Sequence, residues 1–177
     1  MKHLLMSAIL TAGLTTVAVG QQPALQETGA KMAGKAITLK YAASSMNGHR
    51  VFGGVVPYGQ VWHIGSGASA AFHTDVDLEI QGQAVPKGDY TFYILPSAGE
   101  WRLIISKLTG SKAATYDQKM DLGRVPMEMK KAGSPVQTLR VTVAAFGRIA
   151  GKIEFAWEDT IATVPFNVDD VKAHAEW

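Results

Sequence analysis

The sequence contains no cysteine. Disulfides, thiolate-bound metals and a cysteine nucleophile are thereby excluded, and the fold must be held by its core alone. A large charge of one sign is lacking too: Lys+Arg 17 stand against Asp+Glu 15, a net +2. The basic residues are scattered, with the pair Lys130-Lys131 as their longest run. No field exists to hold a phosphate backbone, so nucleic acid is not an expected partner. An amphipathic helix of three or more turns, an internal repeat, a low-complexity tract and a glycine-rich phosphate loop are also missing. What remains is a chain of 177 residues, 47% hydrophobic and 18% charged. It is too apolar for disorder and long enough for one domain with a real core.

Lys2 and His3 precede an apolar run, Leu4 to Val19, broken only by small residues and Thr. A positive start, a short apolar stretch and the small-residue exit Ala18-Val19-Gly20 predict a secretory signal peptide over residues 1–20, cleaved near Gly20. The mature chain is expected to be exported, periplasmic or extracellular, with no membrane span left after cleavage. Without a cysteine behind the run there is no lipoprotein anchor. Residues 21–34 are polar and aperiodic, a linker or N-terminal arm. Residues 35–168 form the domain, and 169–177 a polar tail ending in Trp177.

Within 35–168, period-two alternation keeps returning. Ile37, Leu39 and Tyr41 face one way; Phe72, Thr74, Val76, Leu78 and Ile80 make one long face, backed by His73, Asp75, Asp77 and Glu79. Tyr90, Phe92 and Ile94 alternate with Thr91, Tyr93 and Leu95, apolar on both faces as in a central strand. Leu139, Val141 and Val143, then Ile153, Phe155 and Trp157, continue the pattern, whereas Leu108 to Lys131 is less regular. Glu158-Asp159 is predicted to turn a hairpin into Thr160–Val168, where Pro165 marks an edge strand. The fold class is all-β: an antiparallel β-sandwich, or partly open barrel, of about 8–10 strands with little helix.

Arg50 to Gly67, RVFGGVVPYGQVWHIGSG, is rich in glycine and rings and poor in alternation. Such a segment is either a plug across one end of a sandwich or the wall of a binding site. FGGVVPYGQVW, VPKGDYTFYILP with a Trp strand after it, and FAWEDTIATVPFNV together resemble the bacterial "domain of unknown function 2911" family, from about Ile37 to Val168. The resemblance implies an exported, all-β protein and no particular activity. Where the family carries Arg and Asn after the Trp, this chain has His63 and Gly67; where an Arg-Pro pair often follows the first strand's Tyr, it has Ala42-Ala43-Ser44.

Arg50, Tyr58, Trp62 and His63 are the candidate ligand-binding residues. Rings stack on the apolar faces of sugars while Arg and His supply hydrogen bonds. Against this, aromatic side chains are more often buried for their area, which favours Trp62 and Tyr58 filling the sandwich end. His49, His63 and His73 lack ligand spacing, so neither a metal nor another cofactor is expected. Asp75, Asp77 and Glu79 alternate on a solvated face. Ser66 lacks the strand-turn-helix setting of a nucleophile elbow, and no catalytic residue is assigned. The favoured expectation is an exported, non-catalytic β-sandwich that binds a small molecule, glycan or envelope partner through the loop. The alternatives are an exported hydrolase-like enzyme using His63 as base, and a structural or assembly module of the envelope.

Overall fold

Alternating side chains need two apolar faces to meet, and two antiparallel sheets supply them. A computed structural model describes residues 25–32, 34–65 and 69–169. Its strands are β1 (Leu25–Met32), β2 (Lys35–Ala42), β3 (Trp62–His63), β4 (Ala70–Thr74), β5 (Leu78–Ile80) and β6 (Gln83–Val85), then β7 (Gly88–Leu95), β8 (Arg102–Ser106), β9 (Asp121–Pro126), β10 (Glu128–Phe146) and β11 (Ala150–Val168). The larger sheet runs β1-β2-β4-β7-β8-β9, with β3 also paired to β7; the smaller runs β10-β11-β5-β6. The chain is an all-β sandwich, with eleven strands among the described residues where fewer were expected.

Ile37 and Leu39, Phe72, Phe92 and Ile94, and Leu103 and Ile105 face Val141, Ile153, Phe155, Val164 and Phe166 across one core. Phe72 and Phe92 stack within it at 4.4 Å. Each such side chain contributes about 1.5–3 kcal/mol by leaving water, and with no cysteine this burial is the main stabilising term.

Three elements differ from the expectations. The alternation from Phe72 to Ile80 is not one strand. The chain leaves the larger sheet after Thr74 and enters the smaller at Leu78; both strands bury residues of the same parity, so the pattern runs through the crossing. Asp75 and Asp77 hold that crossing instead of merely facing solvent. Asp75 exchanges hydrogen bonds with Ala36: its carboxylate accepts the Ala36 N–H at 3.0 Å, and its own N–H donates to the Ala36 carbonyl at 2.9 Å. Asp77 accepts the Lys87 N–H at 2.7 Å, while Glu79 is exposed.

Residues 25–32, inside the segment expected to be a linker or arm, pair with β2 over their whole length. Backbone hydrogen bonds to β2 carry most of this polar strand, and Met32 anchors its end in the core. The expected hairpin at Glu158-Asp159 is absent: β11 is continuous, and Glu158 sits at φ 56° beside a register shift. Pro165 does not mark an edge, because β11 lies between β10 and β5. The register with β10 ends at Thr163 and that with β5 begins at Phe166, so the proline's missing N–H falls between them.

The outer margin of β10 is sealed from across the sandwich. Val141 N–H donates to the Tyr41 hydroxyl and Val143 N–H to the Thr28 hydroxyl, each at 3.1 Å. The predicted signal peptide over 1–20, Ser66, Gly67 and the tail beyond Asp169 lie outside the described residues.

Candidate functional site

The glycine- and ring-rich segment closes one end of the sandwich. Val51, Phe52 and Val56 are buried, and a tight turn folds between them, with Val56 N–H donating to Val51 O and Gly53 N–H to Val56 O, both at 2.9 Å. Gly53 takes φ 78°, and a Cβ there would stand 2.9 Å from the Tyr58 ring. Phe52 meets Trp101 edge-on at 4.5 Å and Trp62 at 5.9 Å, and Trp62 stacks on Trp157 at 5.6 Å. One carboxylate oxygen of Glu158 accepts the N–H groups of Val51 and Phe52, at 3.2 and 3.1 Å. The plug is thus fastened from β11 by a single anion.

The four candidate residues fare differently. Arg50 is exposed and its Nε donates to the Phe52 carbonyl at 3.2 Å. Tyr58 is 42% exposed over the turn. Trp62 and His63 are neighbours on β3, so their side chains point to opposite faces of the larger sheet. Trp62 packs on the core, whereas the His63 ring meets Tyr93 edge-on at 4.9 Å on the outer side. The period of the strand thus sets the two residues on opposite faces of the larger sheet.

On that outer side Tyr93 is fully buried. The cover is the segment 107–120, which carries 3-10 turns at Gly110–Ala114 and Gln118–Met120. Tyr93 Oη and Ser69 Oγ both donate to the Ala113 carbonyl, at 2.8 and 2.7 Å, and hold this strap down. Further along, Asp121 Oδ2 accepts from Tyr116 Oη at 2.8 Å and from Arg124 Nε at 2.7 Å, and Arg124 Nη2 also donates to Tyr116 Oη. The other Asp121 oxygen is buried without a partner among the described residues.

Burial pushes the Tyr93 phenol up, and burial followed by the Asp121 carboxylate does the same to Tyr116. The bond to Asp121 raises Arg124 further. Burial lowers the His63 imidazole, which favours its neutral form. The ring has no hydrogen bond or ion pair among the described residues, so the carboxylate that would orient a catalytic base is not supplied there.

Beside the strap the same outer face carries a half-open depression of about 470 Å³. Its floor follows one register row, Lys40–Ala71–Thr91, across three strands. Thr38, His73, Asp89 and, from the strap, Thr109 stand around it. Thr91 is only 2% exposed, yet it lines the depression and its hydroxyl has no hydrogen-bond partner among the described residues. His73 bridges two carboxylates, with Nδ1 2.8 Å from Asp89 and Nε2 3.1 Å from Asp75. Asp89 first and then Asp75 raise its pKa. The Ala36 N–H, then His73, lowers that of Asp75.

Reasoning from sequence missed Thr91, Asp89, Tyr93, Tyr116, Asp121 and Arg124. The available signal was β7 itself: an outer face bearing Thr91, Tyr93 and Leu95 needs a cover, and the irregular stretch after β8 supplies it. No group of three or more His, Asp or Glu placed to hold a metal ion occurs among the described residues.

Fold and site together define an antiparallel β-sandwich whose larger sheet carries a strap and a polar depression on its outer face. The chain belongs to the family described as "protein of unknown function (DUF2911)", whose sequence pattern matches residues 23–166. No curated protein and no solved structure matches the chain.

Proposed function

We propose that the protein is an exported, non-catalytic sandwich that captures a small polar molecule on the outer face of its larger sheet. The observation that carries this is the depression over Ala71 and Thr91, where a floor of small residues lies within a ring of donors and acceptors. A few placed polar groups around a concave surface are what orient a small ligand. The loop end favours a structural role, since Phe52 and Trp62 are spent on each other and on Trp101 and Trp157. A hydrolase drawing on His63 has less support, because the imidazole lacks an orienting partner among the described residues.

Thermal shift against a panel of small molecules tests the proposal, with Ala71→Tyr as the control. Ala71 is exposed on the floor, so a phenol ring there fills the depression and leaves the core intact. A ligand at a hundred times its Kd stabilises the protein by about 2.7 kcal/mol, a rise of roughly 5–10 °C for a domain of this size. The rise is expected for the wild-type chain and not for Ala71→Tyr; an equal rise in both would place binding elsewhere. Export is tested separately by the N-terminal mass of the protein recovered outside the cytoplasm, expected to begin at Gln21. An uncleaved Met1 there would refute it.

A further inference from the structure

We infer that the ligand of the outer-face depression is a neutral polyol of monosaccharide size, held through its hydroxyl groups; this rests on the ligand-binding role proposed above. No basic side chain around the depression stands alone. Lys40 lies 3.5 Å from Glu27, and His73 is shared between Asp75 and Asp89. The surplus is one carboxylate charge, shared through His73 between Asp75 and Asp89, and it disfavours an anionic ligand.

What is left over is hydrogen-bonding capacity. The Thr91 hydroxyl, on a buried residue, is unpartnered and lines the depression. The Thr38 and Thr109 hydroxyls around it are likewise without partners among the described residues. Among the described residues Asp89 engages His73 through Oδ1, which leaves Oδ2 to accept. A group that both donates and accepts suits this set, and a hydroxyl does both: it gives its proton to Asp89 Oδ2 and receives one from Thr91 or Lys40. Several hydroxyls on one small ring would engage the carboxylate and the threonines together.

An apolar ligand would leave these groups desolvated and unpaired. It would also find no ring to lie on, since the Phe72 and Tyr90 side chains are in the core and only border the depression. A volume of about 470 Å³, half open, has room for a sugar ring. With no aromatic platform the expected Kd is on the order of millimolar.

The test is an amide NMR titration of the full chain with glucose, mannose and inositol as neutral polyols, acetate and phosphate as anions, and tetramethylammonium as a cation. Polyols are expected to shift the amides of Ala71, Thr91 and Gly110 saturably. Thr91→Val keeps the side-chain shape and removes the hydroxyl, and should weaken binding by about 2- to 10-fold. Asp89→Asn, at an exposed position, should weaken it as well and serves if the valine variant does not fold. Anions or the cation shifting these amides while polyols do not would overturn the ligand class and leave the binding role standing. Silence from every probe would overturn both. Undiminished polyol binding by Thr91→Val or Asp89→Asn would also refute the assignment.

Discussion

Removing the Glu158 carboxylate should loosen the whole end of the sandwich. Its one oxygen accepts both the Val51 and the Phe52 N–H, at 3.2 and 3.1 Å. A hydrogen bond to a charged acceptor contributes about 1.5–3 kcal/mol. These two share an oxygen and are on the long side, so together they are set at about 2–3 kcal/mol. Glu158→Ala should cost that amount, read in urea unfolding as a lower midpoint at unchanged slope, or as a fall in Tm of about 5–10 °C. Glu158→Gln keeps a neutral acceptor and should lose about half as much. Glu158→Gly should lose about 1 kcal/mol less than the alanine variant, because the residue sits at φ 56°, where glycine is unstrained. Phe52 reports on the same event: its ring meets Trp101 at 4.5 Å, so tryptophan fluorescence should change in step with stability. An alanine variant within 0.5 kcal/mol of wild type, or a glutamine variant as unstable as alanine, would show that the anion does not fasten the plug.

Three further outcomes follow from the geometry. The His73 pKa is raised in the folded chain above the ordinary value of 6.5, so its contribution is complete below that pH and is lost as pH rises through the folded value. Exposure of His73 and both carboxylates keeps that contribution small, and His73→Gln should flatten the fall in stability between about pH 5.5 and 8.5; an unchanged profile would sink the assignment. Gly65→Ala should cost about 3 kcal/mol or more in chemical denaturation, since the backbone is at φ 91° and a Cβ would stand 2.3 Å from the Ala42 carbonyl oxygen. Tyr93→Phe removes one of two donors to the Ala113 carbonyl; it should cost about 1 kcal/mol and speed amide exchange across residues 110–116, and unchanged exchange there would show the strap is held otherwise.

The core was legible because burial imposes its own period on the chain. Ile37 and Leu39, Phe92 and Ile94, and Ile153 and Phe155 all occupy the interior that their alternation predicts. Connections were less legible. The run from Phe72 to Ile80 keeps its parity while changing sheets, so alternation alone gives no sign of the crossing. Glu158 looked like a turn residue and has a turn's backbone, yet it sits inside a strand whose side chain serves a loop more than a hundred residues away. The outer-face groups were illegible for a related reason. Asp121 and Arg124 are close in sequence, but their meaning depends on a strap folding back over Tyr93, and no local pattern encodes that contact. Trp62 and His63 carried the opposite lesson: adjacency in sequence suggested one site, and the strand set them on opposite faces.

Thr28 gives one more consequence. It belongs to the first described strand, yet its hydroxyl takes up a backbone proton on β10 in the opposite sheet. Peeling β1 away would therefore bare two margins at once, its former neighbour β2 and the β10 N–H of Val143. Intruding strands from other molecules would find a template on each layer. Strand β1 thereby acts as a safety catch against self-assembly, and a truncation that begins after Met32 should yield a protein that clumps well before it unfolds.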